Sequence, residues 1–283
     1  MRGTFSRICI LSVTLLAATS SLATGAYSST KTDHPIDARD KDAAITSKAI
    51  NHFEVIGALG IADPMLGSGV LGVTSNETDF LVKPNGTNWS TFAAQAGVGF
   101  VHYFPGAMQY SENLQWFPSI EAELNGYYLG QGNFTSAVWR FNSPAFNEMT
   151  YHLSIQSTRL MVDGALTIAS KKQFSLYTIG GIGNAWNRLN YSDNDNNNTA
   201  ACPDQGLNLG SHTHSNFAWE LGAGVTYAFN PRVLLSLEYL YANLGTAQTS
   251  AHGNTGSIAI PNIVPAQLHL NSQAALLGLH IAL

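Results

Sequence analysis

Six acidic residues, Glu54, Glu121, Glu123, Asp163, Glu220 and Glu238, each lie in a stretch where large apolar residues alternate with small or polar ones. All six fall on the small-polar side of the alternation, and Arg159 is the one base placed in the same way. Crowded like charges hold protons or recruit cations. The set therefore suits either a hydrogen-bonded plug or a cation pathway. Weaker constellations accompany it. Asp193, Asp195, Asn197 and Asp204 have the spacing of a calcium loop, but Asn198 stands where glycine makes the sharp turn and Asp204 where a bidentate Glu is usual. That run reads as a solvated Asn/Asp loop. His212 and His214 beside Ser215, and His152 two residues before Ser154, are the residue types of acyl transfer, with Glu220 or Glu148 as a third member. Such proximity along one strand is common among polar residues, and two histidines lack the third and fourth ligands of a metal site. No catalytic, cofactor-binding or metal-binding residue is assigned.

The elements that must position these side chains announce themselves by a period of two, the mark of strands with two different faces. Phe217, Trp219, Leu221, Ala223, Val225, Tyr227 and Phe229 alternate with small or polar residues that include Glu220. The same rhythm runs through Phe53–Ile61, Ile120–Tyr128, Leu160–Ile168, Val233–Tyr241 and Ala275–Leu283. Two glycine-rich stretches, Ser90–Phe104 and Lys172–Asn187, bring the count to eight strands. Gly180-Gly181-Ile182-Gly183 lies in the last of these, without the strand–loop–helix context of a nucleotide loop, and serves bending and close packing.

Composition sets the class. The 283 residues are 45% hydrophobic and only 11% charged, with a net charge of -5, which excludes a disordered charged tail and a basic nucleic-acid-binding face. Arg2 and Arg7 precede an apolar run from Ile8 to Ala18, followed by small residues suited to cleavage after Ala23 or Ala26. Residues 1–26 are thus expected to be a secretory signal peptide. Its removal takes Cys9 and leaves Cys202, so no intramolecular disulfide is expected. Residues 27–51 are polar and charge-dense and read as a periplasmic arm, with Ala43–Ile50 a candidate short helix. No later apolar run approaches the ~18 residues of a spanning helix.

The connections decide between a soluble and a lipid-facing barrel. Long Asn/Ser/Thr/Gly-rich stretches at 62–89, 131–148, 188–214 and 246–266 alternate with short turns near Phe104–Ala107, Ser170–Lys172 and Asn230–Arg232. Outer-membrane barrels have this asymmetry between their rims. A Lys or Arg at mid-bilayer on the lipid face costs roughly 2–4 kcal/mol, which explains why strand charges keep to the other parity. Trp116, Phe217, Trp219, Tyr227, Phe229 and Tyr241 lie near strand ends, as interfacial girdles require. The expectation for 52–283 is an all-β fold: an eight-stranded antiparallel transmembrane β-barrel with four long extracellular loops and three short periplasmic turns.

With its leader, alternation, loop rhythm and final strand Ala275–Leu283, the chain resembles small bacterial outer-membrane barrels of the opacity-porin and OmpA-type transmembrane class. The resemblance implies a Gram-negative outer membrane, contact with its lipid and lipopolysaccharide, and a non-enzymatic surface protein whose loops serve envelope integrity or recognition of a ligand outside the cell. No cofactor and no nucleic acid is implied. The alternative is a small passive, cation-preferring channel. A lipid-modifying enzyme ranks last, because the His-x-Ser-Asn order of such enzymes is missing here.

Overall fold

The computed structural model describes residues 48–74, 77–87, 90–195 and 206–283. The expected signal peptide, most of the arm, Cys202 and the later part of the calcium-like run lie outside the described residues. Eight long strands dominate: β1 His52–Leu66, β2 Thr91–Tyr103, β3 Ser119–Trp139, β4 Met149–Lys171, β5 Phe174–Asp195, β6 Leu207–Asn230, β7 Val233–Gln248 and β8 Gln267–Ala282. Each pairs antiparallel with its neighbours in sequence, and β8 pairs with β1 at Glu54↔Ala282 through Leu66↔Leu270. The ladders form a ring, so each long strand is hydrogen-bonded along both edges.

Several strands outrun their expected bounds. Within the stretches 131–148 and 188–214, expected as loops, residues 131–139, 188–195 and 207–214 are the upper parts of β3, β5 and β6. Of the first stretch, 140–148 remains a connection. Two short hairpins extend the same rim: Gly69–Thr74 with Glu77–Leu81, and Gly253–Thr255 with Ile258–Ile260. On the opposite rim β4–β5 and β6–β7 are joined by tight turns, but the connection expected at Phe104–Ala107 spans 104–118. Gln115–Trp116 within it pairs with Ala169 and Ser170 of β4. The described end of the arm is not helical. Lys48 bridges Met108, and Asn51 Oδ1 accepts from the Tyr103 amide at 2.8 Å.

Burial divides β3 to β8 into two regimes. In the lower part the apolar side chains point outward: Leu124, Leu160, Val162, Ile182 and Val225 are exposed, with Leu221 at 58% and Phe217 at 65%, while Glu123, Asp163 and Glu220 are buried. In the upper part the polarity reverses. Tyr151, Leu153, Ile155, Leu189, Tyr191, Leu207 and Leu209 are buried, while His152, Arg188, Asn190 and Asn208 are exposed. Outward aromatic rings mark both limits of the greasy band. Tyr128, Trp186 and Phe217 stand at the upper limit, and Phe53, Phe100, Phe174 and Phe229 at the lower. The β5 interval from Phe174 to Trp186 and the β6 interval from Phe217 to Phe229 are each comparable to the roughly 9–11 tilted residues that cross a bilayer.

Candidate functional site

The interior of the ring is layered. Nearest the rim of short turns lies a cavity of about 120 Å³. Its lining includes Glu54 from β1, Glu121 and Glu123 from β3, Glu238 from β7 and His280 from β8. His280 Nδ1 lies 2.5 Å from Glu54 Oε1, and its Nε2 lies 3.1 Å from Ser236 Oγ. The three side chains form an acid–imidazole–hydroxyl series drawn from adjacent strands. Tyr177 reaches across β6 to donate to Glu238 Oε2 at 2.8 Å. Glu121 lies over β2 at Gly99, where a Cβ would meet its Oε1 and push the carboxylate aside.

Above the cavity is a polar layer. Arg159 reaches across β5 to Glu220, with Nε and Nη2 each 2.9 Å from Oε2. The guanidinium carbon also sits 4.1 Å from the centre of the Tyr127 ring, a favourable cation–π arrangement. Tyr127 donates to Asp163 Oδ2 at 3.2 Å, and Asn125 bridges Glu123 Oε2 and Asp163 Oδ2 at 2.6 and 2.8 Å. Gly181 makes room for this carboxylate, since a Cβ there would overlap Asp163 Oδ1. Asn187, one step higher, accepts from Ser157 and donates to the carbonyls of Leu244 and Thr246, which the irregularity between Asn243 and Thr246 turns inward. Over all of this lies an apolar layer that includes Leu129, Phe134, Tyr151, Leu153, Ile155, Leu189, Tyr191, Leu244, Leu268 and Leu270.

All seven charged residues singled out from the sequence are thus on the inner face. Glu54, Glu123, Arg159, Asp163, Glu220 and Glu238 are buried, and Glu121 is partly so. Four of them keep one solvent-shielded oxygen without a hydrogen-bond partner: Glu121 Oε1, Asp163 Oδ1, Glu220 Oε1 and Glu238 Oε1. The expectation of a polar interior holds only for the lower part, because the upper part is filled with aliphatic and aromatic side chains.

The histidine and serine candidates are not brought together. His152 pairs with Thr135 and Ser215 with Asn184, both on the outside, while Glu220 is committed to Arg159 deep within. Of the calcium-like run, Asp193 accepts from Tyr191 Oη at 2.6 Å and from the Leu207 amide at 2.7 Å, tying β5 to β6. Sequence reading missed His280 and Ser236 as members of the inner set. Both share the small-polar parity of their strands, yet only the register of β7, β8 and β1 makes them neighbours. Ser236 sits in a strand paired on both edges, whose amides are committed to ladders. The amides of that strand are thus not free to act as oxyanion donors.

On the upper rim, outside the greasy band, Asp79 Oδ1 accepts from the Phe141 amide at 3.2 Å. Burial pushes this carboxyl up to about 6. Beside it Arg140 pairs with Glu77 at 2.9 Å.

Residues 69–260 match the family described as outer membrane protein beta-barrel domain. Similar solved structures include the outer membrane protein OprG from Pseudomonas aeruginosa, at 14% identity over 82% of this chain and 97% of that one, with a TM-score of 0.41. Neisserial surface protein A is 12% identical over 82% of this chain and 97% of its own, with a TM-score of 0.33. Ail, the attachment invasion locus protein of Yersinia pestis, is 10% identical over 80% and 99%, with a TM-score of 0.28. No curated protein sequence matches.

Proposed function

This chain belongs to the outer membrane protein beta-barrel family and is an outer-membrane protein; on that premise we propose that it is a non-enzymatic, electrically silent surface protein. In this reading the ring of eight strands is a closed transmembrane barrel. The tight turns face the periplasm, and the upper strand extensions with their hairpins stand outside the cell as a recognition surface. One observation carries it: along β3 to β8 the apolar face switches from outward to inward. An apolar belt facing outward belongs in lipid, and a dry core facing inward belongs in a part bathed by water. The same switch fills the upper lumen with Leu153, Ile155, Leu189 and Leu244, above the Arg159–Glu220 pair. A water-filled path has no continuous polar lining to follow. Loops and extensions on such a rigid scaffold are where recognition sits.

Single-channel recording of the refolded chain in a planar bilayer tests this. A protein whose electrophoretic mobility shifts on heating, and which stays silent, is the expected result. Discrete, reproducible openings with cation preference would replace the plugged reading with the channel reading.

A further inference from the structure

We propose that Glu54, Glu121 and His280 form a binding site for a divalent transition-metal ion, with Zn²⁺ as the best-matched ion. Each offers one ligand atom, and these atoms all lie within 4.8 Å of one another. Bonds of ~2.0–2.2 Å in a tetrahedral zinc site put ligand atoms about 3.4 Å apart, a distance that small side-chain rotations reach. Two carboxylates and one imidazole supply three protein ligands, and water can complete the fourth position.

Three further observations point to a cation at this place. Glu238 is only 7% exposed, lines the same cavity, and has an Oε1 with no hydrogen-bond partner. Glu121 Oε1 is likewise shielded from solvent and unpartnered. Charge is also unbalanced. Four carboxyl groups, Glu54, Glu121, Glu123 and Glu238, line the cavity against two imidazoles, His52 and His280, and the lysine at its edge, Lys172, is paired with Glu112 at 3.1 Å on the exposed rim. Carboxylates in excess of their basic partners in a low-dielectric interior are costly unless they take up protons or a cation joins them.

The orientation of His280 fits a ligand. Its Nδ1 faces Glu54, and its Nε2 faces Ser236 Oγ. An ion between Nδ1 and the two glutamates would leave Nε2–H donating to the serine oxygen, the outer-sphere hydrogen bond that fixes ring and tautomer in histidine-ligated metals. Met108, Gln109, Tyr110 and Pro231 from the turn side also line the cavity, which places its approach on that rim.

The test is isothermal titration of the full chain, folded in detergent micelles, with ZnCl₂ and separately with MgCl₂. One saturable Zn²⁺ site with no comparable Mg²⁺ site is expected. Glu121→Gln and His280→Asn should each weaken it about tenfold or more, while His214→Ala leaves it unchanged. Visible absorption from Co²⁺ bound in place of Zn²⁺ should vanish in the first two variants. If His280→Asn does not fold, Glu121→Gln still decides, because it alters one atom of a nearly isosteric side chain. Absence of saturable Zn²⁺ binding, or binding that Glu121→Gln leaves unaltered, overturns the proposal.

Discussion

Arg159 on β4 and Glu220 on β6 are joined across the intervening strand by two contacts of 2.9 Å, and both side chains are almost wholly buried. Their partnership ties three strands together at the level where the interior changes from charged to apolar.

Removing one partner should therefore cost far more than removing both. Arg159→Met leaves Glu220 as an uncompensated buried charge and is expected to destabilise the fold by ~3–5 kcal/mol. Arg159→Met combined with Glu220→Gln should recover most of that loss. Urea unfolding in lipid vesicles, followed by tryptophan fluorescence, reads both. Equal losses in the single and double variants would mean that the pair is not the source of the stability.

The polarity switch along the strands predicts where the bilayer ends. Leu221 lies outward in the middle of the greasy band, and Asn190 lies outward on the β5 extension above it. Leu221→Arg is expected to cost about 2–4 kcal/mol. Asn190→Arg, on a surface facing water, should stay within about 0.5 kcal/mol. Similar penalties for the two, measured in the same vesicles, would contradict the placement of the boundary between them.

Asp79 supplies a pH dependence of definite sign. Its folded carboxyl titrates near 6, above the ordinary 3.8, because burial disfavours the anion. The folded state thus binds this proton more tightly than the unfolded chain, so stability is greatest below about pH 4 and declines as pH rises toward 6. Asp79→Asn keeps an oxygen for the Phe141 amide and removes the titration. The difference in urea midpoint between wild type and variant should open over that window and stay constant above it. A difference that narrows with rising pH has the wrong sign for this mechanism.

How much of this was legible in the sequence varies by residue. The runs around Phe217–Phe229 and Val233–Tyr241 announced strands because a greasy face against small residues is unambiguous at a period of two. The same parity assigns Glu54, Glu123, Asp163 and Glu220 to one face, and all four side chains are buried. The stretches 131–139 and 188–195 look like loops in sequence for a physical reason. Their outward residues are polar, such as Asn133, Thr135, Arg188 and Asn190, and this Asn/Thr-rich composition masks the inward Phe134, Leu189 and Tyr191.

By itself, then, the sequence determined the all-β class, the long strands and the parity that each charge shares, because side-chain direction alternates strictly along any strand. Only the tertiary structure decided which charges meet. Arg159 finds Glu220 and His280 finds Glu54 through the stagger between strands, and stagger is a property of ladders that no single run encodes. The closing of the upper lumen by Ile155, Leu189 and Leu244 was decided the same way, since an apolar residue can face lipid or fill a core, and only its depth along the barrel says which.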